Sequence, residues 1–194
     1  MSVLVLVLGL AIFLGLHSIR IFADDWRNAQ VGRIGLGRYK GLYSIVAAVG
    51  LVLVIWGYGM SREAPVDLWY PPGWTRWPAA ALMVVSFILF VAADLPGTRI
   101  KSALGHPMMI GTKVWAFAHL ISNGRLGDVL LFGAFLAWAV AGFASARRRD
   151  SAAGTRRPPG RLSRDALAAA VGVAASAVFI LWLHGWLIGV RPLP

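Results

Sequence analysis

The sequence predicts an all-α, polytopic integral membrane protein, a bundle of about six transmembrane helices. Three observations lead there. Of 194 residues, 58% are hydrophobic and only 14% charged, with mean hydropathy +0.69; a soluble domain would carry about 25% charged residues. The apolar residues fall in blocks near the length a bilayer-spanning helix needs. Basic residues collect in the gaps between those blocks.

The blocks run 3–22, 42–60, 77–95, 107–122, 126–143 and 166–190. Backbone groups in lipid must be satisfied within the segment, so each is read as a helix. A transmembrane barrel would show shorter, alternating segments. The first block has its positive charge after the apolar run, the reverse of a secretory signal, and is read as a retained helix. Block 107–122 is short, carries Lys113 and His119, and meets the next block through Asn123, Gly124 and Arg125. A tight hairpin and a re-entrant segment both fit it. The stretch 147–164, rich in Arg, Ser, Gly and Pro, reads as a flexible cytoplasmic linker within a single domain spanning 1–194.

Charge sets the expected orientation. Fifteen of the 19 Lys and Arg residues lie in the first, third and fifth gaps; Arg62, Arg76, Arg125 and Arg191 make up the rest. The positive-inside rule puts those three gaps in the cytoplasm and both termini outside. The net charge of +11 comes from these loops and forms no stripe on an amphipathic helix, which argues against nucleic acid as a partner. Without cysteine there are no disulfides, thiolate ligands or thiol chemistry.

Ionisable groups inside a membrane are costly and often functional, which singles out the histidines. His17 lies about 9 Å and His119 about 10 Å from the cytoplasmic face, on different helices, at 1.5 Å per residue. His184 lies about 28 Å away, towards the outer face. His106, before Pro107, belongs at an interface. Two imidazoles at one depth suit the axial positions of a haem iron. The plainer alternative is that each histidine hydrogen-bonds a neighbouring helix. Asp24 and Asp25 read as a helix cap or a salt bridge to nearby arginines, Asp94 as interfacial, and Ser18 and Ser86 as interhelical glue. The run 31–41 lacks the Gly-Lys-Ser/Thr arrangement of a phosphate loop; its Arg38, Tyr39 and Lys40 suit lipid headgroups or a haem propionate.

The motifs His17-Ser18-Ile19-Arg20, Phe22-Ala23-Asp24-Asp25-Trp26-Arg27, Tyr39-Lys40-Gly41-Leu42-Tyr43-Ser44, Trp56-Gly57-Tyr58-Gly59, Gly105-His106-Pro107-Met108-Met109-Ile110-Gly111 and Trp115-Ala116-Phe117-Ala118-His119 together resemble the NnrU family. The likeness covers nearly the whole chain. It implies a multi-pass protein of the bacterial inner membrane, associated with denitrification and nitric oxide metabolism. A distant relative of that family, the plastid 15-cis-zeta-carotene isomerase, holds haem b through two histidines in motifs similar to His17-Ser18 and Trp115–His119. The resemblance therefore implies haem b between the first and fourth helices, with His17 and His119 on the iron. Arg20, and Lys40 of the run 31–41, are read from their position and charge as cations for its propionates. The isomerase has a cysteine where this chain has Ala116, so a histidine-to-cysteine ligand exchange is impossible here.

The implied role is redox or electron transfer, with a redox partner. Two alternatives stay open: haem-dependent cis–trans isomerisation of an apolar lipid or polyene, and a non-enzymatic scaffold or assembly factor. The His-Pro-Met-Met-Ile-Gly segment also resembles a motif of integral membrane methyltransferases. The Glu and Tyr residues those enzymes use afterwards are missing, which leaves methyltransfer a minor alternative.

Overall fold

A computed structural model describes residues 2–193. The described chain is helical, with no strand beyond the isolated bridges Asp67–Arg125 and Thr98–Arg161. In order it forms α1 (Ser2–Phe22), α2 (Asp24–Ile34), α3 (Leu36–Glu63), a 3-10 turn (Gly73–Thr75), α4 (Arg76–Asp94), α5 (Arg99–Leu104), α6 (Pro107–Ser122), α7 (Leu126–Ala152) and α8 (Leu162–Val178). A π-helical turn (Phe179–Leu183) then leads into α9 (His184–Ile188).

Among the described residues, five helical stretches are long and apolar enough to cross a bilayer: Val3–Phe22, Leu36–Glu63, Gly73–Asp94, Leu126–Ala152 and Leu162–Ile188. Large apolar side chains stand exposed along them, Ile45 at 64% and Trp186 at 80%. Water would not tolerate so much contiguous apolar surface, and lipid covers it without penalty. α6 falls where the sequence expects it, but its 16 residues rise only about 24 Å, short of a hydrocarbon core of about 30 Å. The expected sixth span therefore does not reach full length. α3 and α7 run longer than their apolar blocks: polar turns can extend a helix wherever water solvates their side chains. Residues 147–152, expected in a flexible linker, are the last turns of α7.

The chain divides into two compact units, 1–70 with 124–142, and 71–123 with 143–194. In the first, α1 and α3 pack antiparallel through glycines. A Cβ on Gly9 would lie 2.5 Å from the Val54 nitrogen, and one on Gly50 2.8 Å from the Phe13 nitrogen. A Cβ on Gly57 would run into the Leu6 backbone. Small residues let helix backbones approach where no hydrophobic effect drives association. The chain turns from α2 to α3 at Gly35, whose φ of 82° glycine adopts without strain. After α3, residues 66–69 pair with the start of α7: the Leu68 amide donates to Gly124 and the Leu126 amide to Val66, both at 2.8 Å.

In the second unit α4 packs between α6 and α8. Buried Ser86 donates to the Gly111 carbonyl at 2.9 Å, the interhelical role expected of it. Gly172 of α8 lies against the Ile88 backbone. Ala79, Met83 and Ala118 form a core with Phe87, Trp115 and Ile180 around it. Segment 153–161 is docked against α5: Arg161 N–H donates to Gly97 at 2.9 Å and Ser102 Oγ to Pro158 at 2.8 Å.

Candidate functional site

Each histidine sits in a setting that the local helix builds. His17 Nδ1 lies 2.7 Å from the Phe13 carbonyl, one turn back on α1. A carbonyl can only accept, so Nδ1 carries the proton. In the neutral ring Nε2 then carries the lone pair, the arrangement used by imidazoles that bind metal. Around the His17 ring stand Phe13, with centroids 4.3 Å apart, Tyr43 at 5.3 Å and Trp138 at 6.1 Å, edge-on. The Trp138 indole N–H is buried and has no hydrogen-bond partner among the described residues.

His119, in the second unit, repeats the pattern. Its Nδ1 donates to the Trp115 carbonyl at 2.9 Å, and the Trp115 ring lies 5.3 Å away. The last turn of α6 is closed by Asn123 Nδ2 donating to the His119 carbonyl at 2.9 Å. Buried Ala116 and Ala118 flank the helix face towards α4 and leave the histidine half-buried.

The other two histidines are engaged differently. His106 Nε2 lies 2.8 Å from Asp150 Oδ2, and Arg157 donates to the same oxygen at 2.5 Å. His106 thus ties the start of α6 to the end of α7 and the segment beyond it, with its Nε2 committed to the carboxylate. His184 donates from Nδ1 to the Val190 carbonyl at 2.7 Å, holding the end of the chain against α9.

Arg20 lies within ion-pair range of Asp24, at 4.0 Å. Asp24 and Asp25 open α2, and no side chain caps its first turn, so of the two expected roles the salt bridge is the one present. Lys40 is exposed on the first turns of α3. Asp94 ends α4, exposed, as expected of an interfacial residue. No cluster of three or more metal-ligating side chains occurs among the described residues. A haem iron asks for less, two axial imidazoles. Each histidine, within its own unit, has the Nδ1-protonated tautomer that metal-binding imidazoles use, and beside His17 the buried Trp138 N–H lacks an acceptor among the described residues.

Sequence reading missed Trp138, Asp150 and Arg157. A tryptophan well inside an apolar block, whose N–H needs a partner, was the available signal for the first. Asp150 and Arg157 were hidden in a stretch that composition assigned to a linker.

The fold and these sites define a class, the all-helical, multi-pass membrane protein with histidines on its helices. The family model described as NnrU protein matches residues 5–192. The chain belongs to the NnrU family. No curated protein and no solved structure matches it.

Proposed function

We propose that this NnrU-family protein binds one haem b, with His17 and His119 as axial imidazoles, and works in electron transfer or redox sensing within nitric oxide metabolism and denitrification. The observation that carries this reading is shared by the two histidines. In each, Nδ1–H donates to the carbonyl one turn back, which fixes the ring and leaves Nε2 as the metal-binding nitrogen. The NnrU membership supports it through the two motifs in which those histidines stand.

Bound haem would supply one-electron iron chemistry. With both axial positions filled by protein, electron transfer is favoured over substrate activation. Phe13, Tyr43 and Trp138 would exclude water from the His17 side, and low polarity tunes a potential. Arg20 and Lys40 are the cations assigned to the propionates, charge-assisted pairs of the strong kind. In the same reading the protein lies in the bacterial inner membrane with its N-terminus outside.

The test is the visible spectrum of detergent-purified protein, oxidised and then reduced with dithionite. Low-spin α and β bands on reduction are expected, lost in His17→Ala and in His119→Ala and kept in His184→Ala. A protein without a Soret band, even when haem is supplied during expression, would overturn the reading and leave the histidines as helix joints in a scaffold.

A further inference from the structure

The first unit carries a cleft that shares only Tyr43 with the haem reading. α1, α2 and α3 leave between them a half-open cavity of about 210 Å³. Leu16 and Val46 line it together with Trp26, Gln30, Tyr39 and Tyr43. Its lining has no formal charge. The Arg27 guanidinium lies over the Tyr39 ring at 5.7 Å and donates to Asn28 at 2.9 Å. The Gln30 amide and the hydroxyls of Tyr39 and Tyr43 make no hydrogen bond within the described protein. The two tyrosine rings lie 6.3 Å apart and tilted by 32°, and Tyr43 packs edge-on against His17.

We propose that this cleft binds the head ring of a lipid-soluble quinone. The cavity is smaller than the roughly 300–1,000 Å³ of sites that enclose drug-sized molecules. It therefore takes a single substituted ring and leaves a long apolar tail outside the cleft. Aromatic walls suit a flat ring. Two phenolic O–H donors and an amide suit carbonyl oxygens, whereas a phosphate headgroup would ask for the cation that the lining lacks. Both α1 and α3 are apolar enough to cross a membrane, where such a ligand is concentrated.

The proposal stands on the cleft alone; only its use as a redox partner of an iron on His17 rests on the haem reading. The test is a titration of decylubiquinone into the full-length protein in nanodiscs, followed by calorimetry. Saturable binding is expected, weakened about five- to tenfold by Tyr43→Phe or Gln30→Ala, the effect of one lost hydrogen bond. Val171→Ala, remote in sequence on α8, is expected to bind as the parent does. In parallel, a photoreactive azidoquinone on the unaltered protein is expected to label peptides within residues 16–46. No saturable binding, labelling elsewhere, or equal displacement by phosphatidylglycerol would overturn the proposal. Because the titration reads binding with or without haem, a protein that binds quinone but shows no Soret band would refute the haem reading and leave this one standing.

Discussion

Tyr58 donates its hydroxyl to Asp128 at 2.7 Å, joining α3 to the first turn of α7. Asp128 is only 4% exposed, and its other oxygen accepts the Arg125 amide at 3.3 Å. A buried carboxylate is tolerable only when hydrogen-bonded. Tyr58→Phe is therefore expected to destabilise the protein by about 1–3 kcal/mol, read as a lowered Tm in detergent. Combining it with Asp128→Asn should cost less than the sum of the two single changes. Full additivity would show that the pair is not coupled.

Glycine at position 57 is required by the α1–α3 contact, where an added Cβ would meet the Leu6 backbone. Gly59, two residues on, has open space around it. Gly57→Leu should destabilise by about 1–3 kcal/mol, the usual range for overpacking a close contact. Gly59→Ala should be silent or slightly stabilising, since alanine is the better helix former by about 1 kcal/mol. Equal effects at the two positions would contradict the packing described.

Asp150 is shared by His106 and Arg157, so it holds the segment after α7 in place. Asp150→Asn is expected to speed tryptic cleavage after Arg156 several-fold without altering the spectrum of the protein. An unchanged rate would mean that the contacts of Ser102 and Gly97 hold the segment by themselves.

The chain has no cysteine, which makes its topology simple to map. Ala64→Cys and Ser151→Cys place single thiols at exposed positions in the second and fifth gaps. With the basic gaps inside, an impermeant maleimide should label Ala64→Cys on intact spheroplasts and Ser151→Cys only after permeabilisation. The reverse pattern would invert the orientation.

The helices themselves were legible in the sequence because lipid leaves the backbone few choices. Once Leu126–Phe143 is apolar and long, helix is the form that satisfies its amides, and α6 begins at the proline that favours a first turn. Composition was a poorer guide where water returns. The arginine-rich stretch 147–164 reads as a linker, yet α7 continues to Ala152 and residues beyond it are bound to Gly97 and to α5. Polar sequence says that a segment tolerates water, not that it lacks partners.

What the sequence determined by itself was the class, all-helical and membrane-embedded, the histidines worth examining, and the family to which the chain belongs. These follow from properties summed along the chain or carried in contiguous motifs. Tertiary structure alone decided which nitrogen of each imidazole bears the proton. It also decided that His106 is committed to Asp150, that Trp138 stands beside His17, and that α1, α2 and α3 leave a cleft. Each is a matter of distance and direction between groups far apart in the chain, or of side-chain rotamer, and no one-dimensional pattern encodes either.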